Sequence, residues 1–442
     1  MSFVVKSTTE RLESVAGIIL AADIARAIGL NSLIPSQPGL NISMRSMFGL
    51  LVQGRSSFEE IALFRHCALF KNAFDLPFVP AKETLRLYLE KAAHNPGILD
   101  QVKQANIQLL KNTQPTPVTV ERTRTYLPVD IDVSTMDNSD SHKEGVSRTY
   151  MGTDGYAPIF AYLGAEGYML DCELRPGSQH CQNGTPAFLA KMIRHLDRLE
   201  HEYPLLFRLD GGNDSWDTMQ QLLGQNRFFI IKHNLRRENR EAWAVNAKVF
   251  GTATTPFPGT TVWTGSITKQ HPKADADSLV LDLVFKFTER TIDKDGEPLL
   301  VPETDLETWW TNVYESPETV IALYHDHGTS EQYHSELKSD LGVERLPSGK
   351  MCVNALVLTV AMLAFNTLRW IGQTALGTGS LMPIKIDPEN APLRKRLRKV
   401  ISDLIMIGCK LVHHGRTWIL KISQSNPWLP VFMRLHWKFS RL

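Results

Sequence analysis

Between residues 129 and 232 the apolar pattern changes period in a set order, and that order confines the chain to a mixed α/β sheet. In Val129-Asp-Ile-Asp-Val-Ser134 the apolar side chains alternate strictly with Asp130, Asp132 and Ser134. This is the pattern of a strand with one buried face. Apolar runs at 157–163 and 168–174, separated by Gly-Ala-Glu-Gly, extend it to a three-strand meander. A helix is expected from 185 to about 201, then a buried strand over 204–210 that ends at Gly211-Gly212. A helix over about 215–224 and a strand over 227–232 follow. Residues 236–318 then interrupt the pattern with β-rich runs at 260–267 and 279–288 and with Trp243, Trp263, Trp309 and Trp310.

The stretch from Tyr324 to Lys338 is the densest in chemistry-bearing side chains. At about 100° per residue, Tyr324, His327, Glu331 and Lys338 fall within an arc of roughly 60° on one helix. Glu331 and Lys338 lie nearly above one another, two turns apart. A carboxylate and an ammonium on one stripe suit a metal ion and a phosphate. An ordinary solvated helix face has the same look.

Tyr324-x2-His327-x3-Glu331-x6-Lys338 resembles the Tyr-x2-Arg-x3-Glu-x6-Lys signature of DDE transposases from bacterial insertion sequences. The string from His327 to Lys338, Glu344-Arg-Leu-Pro-Ser-Gly-Lys350, Lys143-Glu-Gly-Val-Ser-Arg-Thr-Tyr150 and Leu174-Arg-Pro-Gly177 look like insertion-sequence family thirteen-eighty in particular. His327 departs from the pattern, since the signature has Arg there, and an imidazole offers fewer donors to a phosphate. The resemblance covers about 130–372. It implies a cut-and-paste transposase with an RNase H-like core. Three strands, helix, strand, helix, strand is also the order of such a core.

Phosphodiester cleavage of this kind needs a strong nucleophile and neutralisation of the leaving oxygen, which two Mg²⁺ ions supply. Magnesium takes oxygen ligands, so three carboxylates on rigid elements are expected. Asp132 on the alternating strand, Asp210 at the end of the buried strand and Glu331 on the helix occupy those places. Asp130 competes with Asp132, Asp214 and Asp217 with Asp210, and Glu336 with Glu331. The resemblance favours Asp132, which stands two residues before Ser134. Two Mg²⁺ ions are the expected cofactor, with Mn²⁺ as a substitute. Lys338, Tyr324 and His327 are expected to hold the DNA strand. Lys143, Arg148, Arg175, Arg345 and Lys350 lie in family-like motifs and are further DNA-binding candidates. Related transposases stack a flipped base on an aromatic ring, and Trp263, Trp309 and Trp310 are the candidates for that role, with core packing as the alternative.

Net charge is +1, but it is unevenly spread. Residues 385–442 hold 12 Lys/Arg against three Asp/Glu, a net of +9 that leaves the preceding 384 residues at −8. The run Arg394-Lys-Arg-Leu-Arg-Lys399 reads as a phosphate-binding arm on an acidic body. Five cysteines without a CxxC pair suggest reduced thiols and a cytoplasmic protein, and the resemblance implies a bacterial one, nucleoid-associated when on DNA. The most apolar run, 355–365, is too short to span a bilayer and reads as a buried helix, so no membrane partner is expected.

The expected organisation is α/β. A helical DNA-binding region covers 1–119, and an RNase H-like mixed-sheet core covers 120–235 and 319–375. A β-strand insertion covers 236–318, and a basic helical C-terminal region covers 376–442. Within the first region Ser57-Phe-Glu-Glu60 reads as a helix start. Lys82 and Arg86 share a helix face, either on a helix-turn-helix variant that reads DNA or on a plain bundle. Calcium-loop, di-iron, zinc and P-loop patterns all fail on spacing. The resulting expectation is a transposase that binds terminal inverted repeats of double-stranded DNA, cuts them, joins them to a target, and works as a homodimer in the synaptic complex. A nuclease of the same fold without strand transfer, or an inactive DNA-binding relic, are the rivals.

Overall fold

The computed structural model describes every residue except 1–2, 35–36, 121–123, 236–237, 275–279, 386 and 388–390. The expected insertion boundary at 235/236 and the first residue of the expected 279–288 run therefore touch residues outside the described set. A short strand, β1 (Leu12–Glu13), precedes five helices: α1 (Ile18–Ala27), α2 (Pro38–Leu51), α3 (Ala68–Ala73), α4 (Lys82–Ala93) and α5 (Ile98–Lys111). The Ser57 start is present, with the Glu60 carboxylate accepting the Ser57 backbone N–H at 3.2 Å, but it opens a 3₁₀ turn over Phe58–Phe64 instead of an α-helix.

Strands follow at the three expected places, with four short ones that the alternation did not mark. They are β2 (Val118–Val120), β3 (Arg124–Val133), a small sheet of β4 (Met136–Asp137), β5 (Ser147–Arg148) and β6 (Asp154–Tyr156), then β7 (Ile159–Leu163) and β8 (Tyr168–Glu173). Next come α6 (Thr185–Leu196), β9 (Leu205–Leu209), α7 (Trp216–Leu223), β10 (Phe228–Lys232) and α8 (Arg240–Phe250). β11 (Thr252–Phe257), β12 (Thr260–Lys269), β13 (Leu281–Ile292) and β14 (Pro298–Thr311) complete one large mixed sheet in the order β11-β12-β13-β14-β10-β9-β3-β7-β8. β3, β9 and β10 run parallel, while β7 and β8 fold back antiparallel.

The β-rich segment is not a separate layer. Ile230, Ile231 and Lys232 of β10 pair with Thr311, Trp310 and Trp309 of β14, so its hairpins continue the core sheet. Adjacent strand residues face opposite sides. Trp309 therefore packs with Leu206, Ile230, Val320 and Tyr324 on one face, and Trp310 joins the main core on the other. Both rings are fully buried.

The second half continues with α9 (Pro317–His325), α10 (Ser330–Ser335) and α11 (Met351–Leu376). At 26 residues α11 is long and apolar enough to cross a membrane by length and composition, but it is mostly buried inside the protein. It packs against α2, α4, α5 and β8. Full burial of side chains such as its Leu356 and Phe365 contributes about 1.5–3 kcal/mol each.

The C-terminal region departs from the all-helical expectation. Between α12 (Leu397–Val400) and α13 (Leu429–Phe439) lies a hairpin of β15 (Cys409–His414) and β16 (Thr417–Ile422). β1 adds to it, with Leu12 opposite Lys410. The turn glycine Gly415, at φ +59°, is the hairpin signal.

Candidate active site

Residues at the ends of β3, β9 and β10 and along α9 and α10 line a cleft of about 850 Å³. Asp132 is the penultimate residue of β3, and Asp210 directly follows β9. Glu331 stands in the first turn of α10. All three line the cleft, together with Tyr324, His327, His334, Lys338 and Glu344.

The stretch from Tyr324 to Lys338 is not one uniform helix. α9 tightens into a 3₁₀ turn over Asp326–Thr329, and α10 widens into a π turn over Glu336–Asp340. The first overwinds the chain and the second underwinds it. Their rotations oppose, so Tyr324, His327, Glu331 and Lys338 still reach the same cleft.

The competing carboxylates separate by what they touch. Asp130 is buried, and the Arg208 guanidinium donates to both of its oxygens at 2.7 Å. Arg208 also donates to the Leu323 carbonyl at 2.7 Å, and His327 Nδ1 lies 2.8 Å from Asp130 Oδ1. This network ties β3 and β9 to the end of α9 and braces the helix that carries Glu331. A charged residue inside the apolar strand Leu205–Leu209 was the signal that could have found it. Asp214 is paired with His233 at 2.8 Å, Asp217 points to solvent, and Glu336 is buried against Arg369 at 3.1 Å.

Asp132, by contrast, has no cationic partner of that quality. Its Oδ1 accepts its neighbour's Val133 N–H at 2.8 Å, and its Oδ2 lies 3.6 Å from His334 Nδ1. Burial, then the Asp210 carboxylate, push Asp132 up to about 6, and Glu331 acts in the same direction. Burial first and Lys338 second hold His334 down at about 3, so the ring is neutral.

Lys338 Nζ donates to the Thr135 carbonyl, and burial lowers its pKa. Tyr324 packs its ring on Trp309 at 5.7 Å. His327 stands in the cleft with one ring nitrogen committed to Asp130.

The remaining expected residues scatter. Arg148, Arg345, Lys82 and Arg86 are exposed. Lys143 is turned inward, donating to Asn138 Oδ1 at 2.9 Å and the Leu346 carbonyl at 2.6 Å. Arg175 is buried and paired with Glu173 at 2.8 Å, so its charge is spent inside the fold. Lys350 pairs with Glu90. Trp309 and Trp310 are enclosed by the sheet's two cores and have no face open to a base, and Trp263 is partly buried with Lys248 Nζ 5.2 Å from its ring centre. The exposed aromatic at the cleft is Tyr150, 70% exposed, its Oη donating to the Val133 carbonyl at 3.2 Å. It belongs to the string 143–150 but gave no separate signal in the sequence.

The run Arg394–Lys399 is largely ion-paired, with Arg396, Arg398 and Lys399 still exposed. Arg394 and Arg369 both reach Glu336, at 3.0 and 3.1 Å. Arg396 and Arg398 reach Asp340, at 2.9 and 3.3 Å. These side chains clamp the π turn just beyond Glu331 instead of forming a free arm.

Among the described residues, no three His, Cys, Asp or Glu side chains stand close enough together to hold one metal ion. The chemistry of Asp132, Asp210 and Glu331 is that of ligands to a hard divalent cation: three carboxylates from three elements line one cleft, and such a cation would relieve the Asp210 repulsion that, after burial, raises Asp132.

The fold and the cleft thus define a mixed α/β protein built around convergent carboxylates. Residues 98–442 match the family described as Transposase DDE domain group 1, and the chain belongs to that family. DDE transposases generally use divalent metal ions. No curated protein matches the sequence. Among solved structures, the cryo-EM structure of a piggyBac transposase synaptic complex with hairpin DNA is similar over 83% of this chain and 70% of that chain. The identity is 12% and the TM-score 0.40.

Proposed function

We propose that this transposase binds the terminal inverted repeats of a bacterial insertion sequence, of family thirteen-eighty, and moves it by cut-and-paste transposition. The observation that carries the reading is that Asp132, Asp210 and Glu331 line one cleft while Asp130, Asp214 and Glu336 are each engaged by another side chain. The parallel order β3-β9-β10 with β7 and β8 folded back supports an RNase H-like core.

In this reading Asp132, Asp210 and Glu331 hold two Mg²⁺ ions, for which Mn²⁺ substitutes. Bound there, the ions supply an activated nucleophile and charge neutralisation at the leaving oxygen. Asp130, Arg208 and His327 keep the α9–α10 segment fixed against β3. Lys338 exchanges its carbonyl partner for a DNA phosphate, and Tyr324 and His327 line the path of the strand. Exposed Arg148, Arg345, Lys82 and Arg86 add phosphate contacts. Water first cleaves the element end. The freed 3′-hydroxyl then attacks the target phosphodiester in line and displaces the target's 3′ oxygen. Two ends require a synaptic homodimer on double-stranded DNA. The bacterial cytoplasm is the proposed compartment.

The test is a supercoiled plasmid carrying the element, incubated with Mg²⁺ or with EDTA, followed by mapping of the products. Metal-dependent cuts at the element ends are expected from the natural protein. Glu331→Gln is expected to bind the ends without cutting them. Full cleavage by that variant would remove Glu331 from the mechanism, and metal-dependent cuts elsewhere would make the protein a nuclease.

A further inference from the structure

Arg394, Arg396 and Arg398 are paired with Glu336 and Asp340, and a second group of C-terminal cations lies on and just after α13. From Leu429 to Leu442 the chain carries Arg434, Lys438 and Arg441 and no Asp or Glu. α13 seats Val431, Phe432, Leu435 and Phe439 in the core, where it packs on α1 and α11. Its other face presents Trp437, 52% exposed, between two guanidiniums. The Arg434 and Arg441 carbons lie 5.1 and 4.3 Å from the indole centre.

Beside this ring is a hollow of about 570 Å³ between α13 and the end of α11, lined by Thr374, Thr378, Arg434, Trp437 and Lys438. Among the described residues no carboxylate forms an ion pair with Arg434, Lys438 or Arg441. Burial and the facing Arg434 lower the Lys438 pKa, so the two cations strain against each other with no anion between them.

We propose that this face of α13 is a second DNA-binding surface, separate from the catalytic cleft, in which Arg434, Lys438 and Arg441 engage the phosphate backbone and Trp437 holds the two guanidiniums apart. It rests on the proposed function only in taking DNA as the partner. Charge complementarity selects a polyanion: three cations and a flat ring that guanidiniums already stack on. An anionic membrane is the poorer partner. Docking on lipid requires an apolar helix face to be inserted, and that face of α13 is already buried in the protein.

The experiment measures the affinity of the full chain for a 30-base-pair duplex in EDTA, as a function of salt. It compares the natural protein with the triple variant Arg434→Gln, Lys438→Gln, Arg441→Gln. Each lost phosphate contact lowers the slope of log K against log salt by about 0.9, so the triple variant is expected to lose about 3. All three side chains are exposed, so the thermal midpoint is expected to hold. An unchanged slope with DNA still bound overturns this surface and leaves the proposed function standing. Failure of the natural protein to bind duplex at all overturns both. Charge-dependent binding to phosphatidylserine vesicles that exceeds duplex binding, and that the triple variant loses, overturns the DNA assignment in favour of lipid.

Discussion

Replacing Arg208 by Met should destabilise the protein by about 3–5 kcal/mol, the usual cost of leaving one member of a buried ion pair without its partner. The structure accounts for the size. The guanidinium makes three hydrogen bonds of 2.7 Å, two to Asp130 and one to the Leu323 carbonyl, all buried. Without it, Asp130 keeps only His327 as a close partner in a site closed to solvent. The double variant Asp130→Leu, Arg208→Met removes the stranded charge as well. It leaves the Leu323 carbonyl and His327 Nδ1 without their partners, at about 1 kcal/mol each. The double variant should therefore be more stable than Arg208→Met alone by about 2 kcal/mol. Urea unfolding followed by far-UV circular dichroism reads both differences from the shift in midpoint. Cleavage of element ends should stay impaired in the double variant, because the link from β3 and β9 to the Glu331 segment is gone. If Asp130→Leu adds to the damage of Arg208→Met instead of relieving it, the pair is not the coupled unit described here.

Gly167→Ala should cost about 2 kcal/mol, because the residue sits at φ +74° and an added Cβ would lie 2.3 Å from the Tyr333 ring. Gly97→Ala, at φ +77° with open space around it, should cost only about 1 kcal/mol, and equal losses in thermal unfolding would deny the contact with Tyr333. Glu336 gives a pH dependence: burial alone would raise its carboxyl, but Arg369, the Leu397 N–H and Arg394 outweigh it and hold the group below the ordinary 4.5. Its folded pKa is depressed, so its contribution is full above about pH 4.5 and is lost as pH falls through the folded value. Glu336→Gln should thus be less stable at neutral pH and lose less on acidification; parallel losses in urea midpoints from pH 7 to pH 3 would exclude this role.

What could be read in the sequence was what depends on neighbours in the chain. Alternation in 129–134 gave a strand and put Asp130 and Asp132 on one face, but it could not say which was free. That choice rests on Arg208, which meets Asp130 only through the pairing of β3 with β9. The pairing of Arg394, Arg396 and Arg398 was equally hidden, since their partners Glu336 and Asp340 lie some 56–58 residues away. Spacing suggested a solvent-facing arm because a cluster of like charges normally faces water. Trp309 and Trp310 were offered as stacking rings because nothing local reveals that both faces of β14 are covered. The helical wheel for Tyr324–Lys338 put Tyr324, His327, Glu331 and Lys338 on one stripe, and all four line one cleft although the helix is regular at neither its 3₁₀ nor its π turn.

The pairing of Leu12 with Lys410 and of Glu13 with Cys409 bears on how the protein is made. During synthesis β1 leaves the ribosome early and must wait for β15, nearly four hundred residues later, before its edge is closed. The clamp on the π turn beyond Glu331 likewise waits for Arg394, Arg396 and Arg398. Contacts so distant in sequence form late, after the loop between them has closed. A nascent chain interrupted before residue 394 would carry all three cleft carboxylates yet lack the lock on the segment that bears the third. Such a product would still have the Asp130–Arg208–His327 network and the Arg369–Glu336 pair, so the bracing of that segment is laid down in two stages, the second only after residues 394–398 are made.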